Sequence, residues 1–323
     1  MQKMRNTLGW LIGGVWMLLA ASSALAQAWP AKPVHLLVNL PPGTPPDQIA
    51  RALSPRLAEA LGQPFVVENR VGANGLIALG AVVKSAADGY TLAYTPMFPL
   101  VIGPHLFKMP FDADHDLVPV ATTARVASFF VVRSALPVKN VAEFIAYARA
   151  NPGKLNYGSG GNGSQPHVAA EMFAHAAALQ FTHIPYKGST ETLTALLAGQ
   201  IDFTFDVGVA IPQIKAGKLK LLAVASPQRS AVFPDRPTLQ ELGIDVNSST
   251  VHAVYAPAGT PREVVQRLNS EIARAMQTPQ LRNVLAALGA DALTSTPEQV
   301  AAMQRRDREV FGTVVREAHI HAD

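Results

Sequence analysis

Between Tyr157 and His167 the sequence reads Tyr-Gly-Ser-Gly-Gly-Asn-Gly-Ser-Gln-Pro-His. Glycines and serines in this density leave backbone N–H groups open to a visitor. Ser164 suits the N-cap of the apolar helical pattern that follows, and Pro166 suits its first turn. A glycine loop entering a helix aims unpaired N–H groups and the positive end of the helix dipole at one point, which is chemistry for gripping an anion such as a carboxylate. Gly158, Gly160 and Gly163 also spell G-x-G-x-x-G after an extended run. A dinucleotide site would need an acid about twenty residues on, at the end of the next strand. The sequence there is Thr182-His183-Ile184-Pro185, so no nucleotide cofactor is expected.

Other reactive residues point less clearly. His167, Glu171 and His175 recur every four residues and share a helix face, a spacing that can bind zinc. The pattern is not H-E-x-x-H and no further ligand is identifiable, so the expectation is a His near the first turn, a solvated Glu and an exposed His, with no metal. Ser164, His167 and an acid could form a hydrolase, but no G-x-S-x-G elbow surrounds any serine, and the chain is read as a non-enzyme. Asp202 and Asp206 bracket a strand pattern. Asp206 either accepts a hydrogen bond from a ligand or caps the next turn. There is no cysteine, hence no disulfide, thiolate chemistry or lipid anchor on sulfur.

The elements that must position these residues alternate in type. Val34 to Leu40 reads as a buried strand, and Pro41-Pro42-Gly43-Thr44-Pro45-Pro46-Asp47 breaks it. A helix with an apolar stripe at Ile49, Leu53, Leu57 and Leu61 follows, kinked at Pro55 and ended by Gly62. Further strands are expected at Phe65–Glu68, Tyr90–Tyr94, Ala127–Arg133, Phe181–Ile184, Gln200–Phe205, Leu219–Ala225 and Val251–Ala256. Capping patterns open helices at Asn140/Glu143, Thr260/Glu263 and Thr296/Gln299. This is the alternation of helix-covered, mostly parallel sheets. The Pro41–Asp47 turn resembles the Ser159–Ser164 loop in running into a helix. If the two face each other across a cleft, one carboxylate could receive N–H groups from both sides.

With 323 residues, 49% hydrophobic and 15% charged, the chain is long enough for two packed domains. Residues 1–26 read as a secretion leader: Lys3 and Arg5, an apolar Leu8–Ala21 stretch, then Ala24-Leu25-Ala26 or Ala26-Gln27-Ala28 as cleavage site. Cleavage leaves 25 basic residues (27 less Lys3 and Arg5) against 23 acidic, about +2. No basic run with interleaved aromatics is present, so nucleic acid is not an expected partner. No second long apolar run exists, so an exported, soluble protein is expected. Two lobes without a flexible linker imply strands crossing between them near residues 118–125 and 249–256. One lobe would then hold residues 27–124 plus 252–323, the other 125–251.

Several blocks resemble a known family in order along the chain: Asn39-Leu40-Pro41-Pro42-Gly43 with Asp47, Val67-Glu68-Asn69-Arg70 with Gly72 and Gly75, Asp88-Gly89-Tyr90, Tyr157 through His167 with Glu171, Pro185-Tyr186-Lys187-Gly188, Phe205-Asp206, Ile214 through Lys218, and Ala256 through Pro261. The sequence is similar to the substrate-binding proteins of tripartite tricarboxylate transporters, the Bug family. The resemblance implies a two-lobed α/β periplasmic binding protein of type II-like fold, monomeric, closing on a small organic carboxylate and serving membrane transporter subunits or a sensor kinase. By position it implies ligand contacts from Pro41, Pro42, Gly43 and Thr44 on one lobe and Ser159, Gly160, Gly163, Ser164 and Gln165 on the other. Tyr186, Asp206, Met97 and Phe98 would line the remainder. The family pattern has a second glycine where Thr44 stands, small or hydroxyl residues at Pro45 and Pro46, Asn at Val207, and a Gly- and His-containing loop at Met97–Leu100. These departures imply a ligand with one carboxylate and an apolar or aromatic body.

Overall fold

The structure, a computed structural model, describes residues 29–317 and 320–321; the expected leader and its cleavage sites lie outside them. The chain runs through β1 (Val34–Val38), α1 (Pro45–Leu61), β2 (Phe65–Asn69), α2 (Leu76–Val83), β3 (Thr91–Pro96), α3 (Phe98–Val101), α4 (Gly103–Leu106) and β4 (Leu117–Val126). It continues through β5 (Phe129–Arg133), α5 (Val141–Ala150), β6 (Asn156–Ser159), α6 (Gln165–Ala177), β7 (Thr182–Pro185), α7 (Ser189–Leu197), β8 (Phe203–Asp206), α8 (Ile211–Lys215) and β9 (Leu219–Val224). Last come β10 (Thr250–Pro257), α9 (Arg262–Met276), α10 (Pro279–Ala287), β11 (Ala290–Ala292) and α11 (Pro297–Glu317).

Two sheets result, each covered by helices: β11-β4-β10-β3-β1-β2 in the first lobe and β7-β6-β8-β5-β9 in the second. Among the described residues, parallel strand pairs are β1 with β2 and β3, and β6 with β7 and β8, beside an isolated parallel bridge between Val224 and Thr238. The other five pairings, made by β4, β5, β10 and their neighbours, are antiparallel. The sheets are therefore mixed and less parallel than the βα alternation suggests, because the strands near the lobe crossings run against the rest. The chain passes between the sheets after Val126 and again between β9 and β10. Those crossings flank β4 and β10, which lie side by side.

Local sequence explains most elements. The Ile49, Leu53, Leu57 and Leu61 stripe of α1 is buried in the first core with Leu36, Val38 and Leu268. Pro55 interrupts nothing: α1 continues to Leu61, and Pro55 sits on its exposed side, where water can serve the carbonyl that lost its helical partner. Gly62 closes the helix in the left-handed conformation. Asn140 Oδ1 accepts from the Glu143 N–H while the Glu143 carboxylate accepts from the Lys139 N–H, and Thr296 and Gln299 exchange both hydrogen bonds of a capping box. Thr260 does not cap α9, because its hydroxyl donates to the Pro257 carbonyl instead. The second core is aromatic, with Phe130 stacked on Phe205 at 4.9 Å and edge-on to Phe144. Among the described residues no helix is long and apolar enough to cross a membrane.

Candidate functional site

Both lobes contribute to a narrow cavity of about 70 Å³. Its wall is built at the carboxyl ends of parallel strands, where open α/β sheets present ligand sites. Leu40, Pro96 and Phe98 come from the first lobe, and Gly160, Gly188 and Val207 from the second. None of the described residues lining it is charged. The lobes touch on both sides of it. Asn74 Nδ2 donates to the Gly163 carbonyl at 3.4 Å. Gly163 adopts φ +70° and packs so close that a Cβ there would lie 2.9 Å from Leu106 Cδ1. Gly188 faces the Pro41 ring in the same way. A wider groove of about 530 Å³ opens between α6 and α11, lined by Arg125, His175 and Phe311 among others. It meets the C-terminal end of α6, not a helix N-terminus, so the anion chemistry belongs to the smaller cavity.

The second-lobe loop divides its labour. Gly160, Ser164 and Gln165 line the cavity. Ser159 and Gly163 hold the loop from behind. The Ser159 hydroxyl pairs with His183 Nε2 at 2.6 Å and accepts from the Gly161 N–H. The Gly163 N–H donates to His167 Nδ1 at 3.0 Å. Ser164 occupies the N-cap of α6 without bonding it, and its buried Oγ has no protein partner. The turn before α7 supplies a second approach through Gly188 and Ser189, which the sequence reading had not singled out. Among the described hydrogen bonds, none uses the N–H groups of Gly160, Gln165, Gly188 or Ser189. Two helix N-termini of one lobe thus converge on the cavity with donors unspent.

The first-lobe loop corrects the expectation of a symmetric clamp. Pro41, Pro42, Pro45 and Pro46 have no N–H to give. The Gly43 N–H goes to Asp47 Oδ2 at 2.9 Å, and the Thr44 N–H turns back on the Pro41 carbonyl. Thr44, Pro45 and Pro46 line the cavity, whereas Pro41, Pro42 and Gly43 do not. Burial pushes the Asp47 carboxyl up, but hydrogen bonds from Arg51, Gly43 and Asn69 outweigh it and hold the group below its usual range. An ionised carboxylate therefore already occupies the first turn of α1.

The remaining candidates separate. Phe98 reaches the cavity, while Met97 is buried in the core beside it. Tyr186 packs against the second-lobe core and does not line the cavity. Asp206 is buried and caps its own turn, accepting from the N–H groups of Gly208 and Ala210 at 2.7 and 3.0 Å. Burial raises it to about 6, against the opposing pull of those N–H groups. His167 does not pair with Ser164, so the hydrolase arrangement is not assembled. Glu171, expected to be solvated, accepts from the Tyr157 hydroxyl at 2.5 Å. His175 and His321 are exposed. Among the described residues no three His, Cys, Asp or Glu side chains are grouped to hold a metal ion.

Two polar residues of the wall were not anticipated. Asn39 and His252 line the cavity, are almost wholly buried, and leave side-chain atoms unbonded. Burial pushes the His252 imidazole down to about 3; burial and the neighbouring His183 ring push His167 to a similar value. Asn39 stood within a motif, but nothing in its spacing told that both amide atoms would be left open. His252 sits mid-strand, where a histidine carries no signal.

Residues 49–319 match the tripartite tricarboxylate transporter family receptor. The chain is 39% identical over 270 residues to the UPF0065 protein in the gbd 5' region of Cupriavidus necator, covering 83% of this chain and 82% of that one. It is 36% identical over 301 residues to BugT of Bordetella pertussis, covering 92% of each. Among solved structures it is similar to R. palustris Rpa4515 with adipate, at 32% identity and TM-score 0.87, over 91% of this chain and 99% of that one. MatC from Rhodopseudomonas palustris with bound malate superposes with TM-score 0.83 at 30% identity, over 89% and 100%. The fold is that of the two-lobed periplasmic binding proteins, and the chain belongs to the tripartite tricarboxylate transporter receptor family.

Proposed function

We propose that this chain is an exported, monomeric solute receptor, without catalytic activity, that closes on a small monocarboxylate with a short apolar body. It presents the closed form to membrane transporter subunits or a sensor kinase. The observation that carries the reading is the pairing of unspent N–H donors at the starts of α6 and α7 with a cavity wall that has no charged residue. One carboxylate is served by the donors; a second would be stripped of water with no counter-charge, which is costly. Similar proteins hold adipate or malate, which supports a carboxylate as the ligand class. The cavity volume favours an aliphatic over an aromatic body, since a benzene-sized cavity is roughly 150 Å³. The crossings that flank β4 and β10, after Val126 and before Thr250, would be the joints about which the lobes part, with 27–124 plus 252–323 moving against 125–251.

The test is a thermal-shift panel of propionate, butyrate and pentanoate against malate, adipate and citrate. Ligand at a hundred times its Kd should add ~2.7 kcal/mol of stability. Stabilisation by the polycarboxylates, with the monocarboxylates inert, would sink the proposal.

A further inference from the structure

Asn39 and His252 are 1% and 2% exposed. Asn39 leaves both Oδ1 and Nδ2 without a protein partner, and His252 leaves Nδ1 without one. Buried polar atoms are nearly always bonded, so atoms left open at a cavity wall mark where a group from outside is received. Neither side chain is loosely placed. Gly75 backs Asn39 so closely that a Cβ there would lie 2.1 Å from Nδ2. Tyr94 meets the His252 ring edge-on at 6.0 Å. His252 is in register with Pro96 of β3, and β3 separates β10 from β1, whose end carries Asn39. The two residues thus belong to the first lobe, on the wall facing the N–H donors of the second.

Their chemistry limits what they can receive. An amide offers a donor and an acceptor, and an imidazole nitrogen offers one or the other. A hydroxyl gives one hydrogen bond and takes others, so it matches both residues. A methyl end would leave these atoms unbonded, and a second carboxylate would find no cation on the wall. We infer that the ligand carries an uncharged hydrogen-bonding group, best a hydroxyl, away from its carboxylate, and that Asn39 and His252 are the specificity-determining residues that read it. This deepens the monocarboxylate reading above and rests on it.

The experiment is calorimetric titration of pentanoate and its four singly hydroxylated derivatives into the wild-type protein, His252→Phe and Asn39→Leu, with malate and adipate as controls. At least one hydroxylated acid should bind wild type about tenfold tighter than pentanoate, the scale of one well-made hydrogen bond. His252→Phe or Asn39→Leu should cut that preference, read as the ratio of the hydroxylated acid's affinity to pentanoate's within each variant, below about threefold. If pentanoate binds wild type and no derivative binds better, the inference is overturned, the open atoms serve water, and the monocarboxylate reading stands. A preference that survives both substitutions overturns the assignment to these residues. If no pentanoate derivative binds while malate or adipate does, both readings fall. The wild-type comparison decides even if a variant does not fold.

Discussion

His167 and His252 are kept neutral by burial, at folded values near 3 against about 6.5 for a free imidazole. In the unfolded chain both take up a proton as pH falls below about 6.5, while the folded chain does not. The unfolded state therefore binds more protons between roughly pH 6.5 and 3, and stability falls as pH falls through that window. Each histidine contributes a slope of about 1.4 kcal/mol per pH unit. Asp206 works the other way: raised by burial to about 6, it keeps its proton in the folded chain above the pH at which the unfolded chain loses it. Stability from this group falls as pH rises from about 4 to 6. Two groups outweigh one, so denaturant titrations from pH 6.5 to 4 should show a net loss of stability. A flat profile would contradict this account. The glycines and serines of the loop were legible in the sequence because backbone chemistry depends on residue type and order. Asn39 and His252 were not, because an unbonded atom is defined by what fails to approach it from other strands.

Among the elements, α1 and α6 look alike in sequence and differ in use. Each follows a strand and a proline- or glycine-containing turn, which suggested partners of equal weight. The structure shows α6 with open N–H groups and α1 with Pro45 and Pro46 in its first positions and Asp47 in its first turn. Strand and helix identities were mostly readable because apolar period and capping residues act locally. The antiparallel pairings, the short β11 and the short α3 and α4 were not, since chain direction and short contacts are fixed by packing. Pro46→Ser would return one N–H to the start of α1, worth about 0.3–1 kcal/mol toward an anion and up to ~2 when partly buried. Malate should then stabilise the variant measurably more than it stabilises wild type in a melting assay. An identical malate response would show that the α1 terminus does not face the bound ligand.

At the scale of the molecule, two lobes were anticipated from the order of strands and helices and from the family resemblance. How closely they approach was not, because it depends on glycines meeting side chains far off in sequence. Gly208 illustrates this: at φ +104° it lies so near the end of α10 that a Cβ would fall 2.3 Å from the Leu288 carbonyl oxygen. Contacts of this kind, with those at Gly163 and Gly188, fix how near the two lobes stand.

The unequal helix starts also have a consequence in time. A lobe with open N–H groups at its helix starts can receive a carboxylate by itself; a lobe whose helix-start N–H groups are already spent can only cover it. The solute should therefore arrive on the second lobe and be retained by the first, so that entry and residence answer to different residues. Trimming the first-lobe contact with Leu106→Ala should leave the association rate within about twofold and quicken dissociation several-fold, as is usual when affinity is tuned within one interface. Stopped-flow traces in which association slows instead would place the landing surface on both lobes.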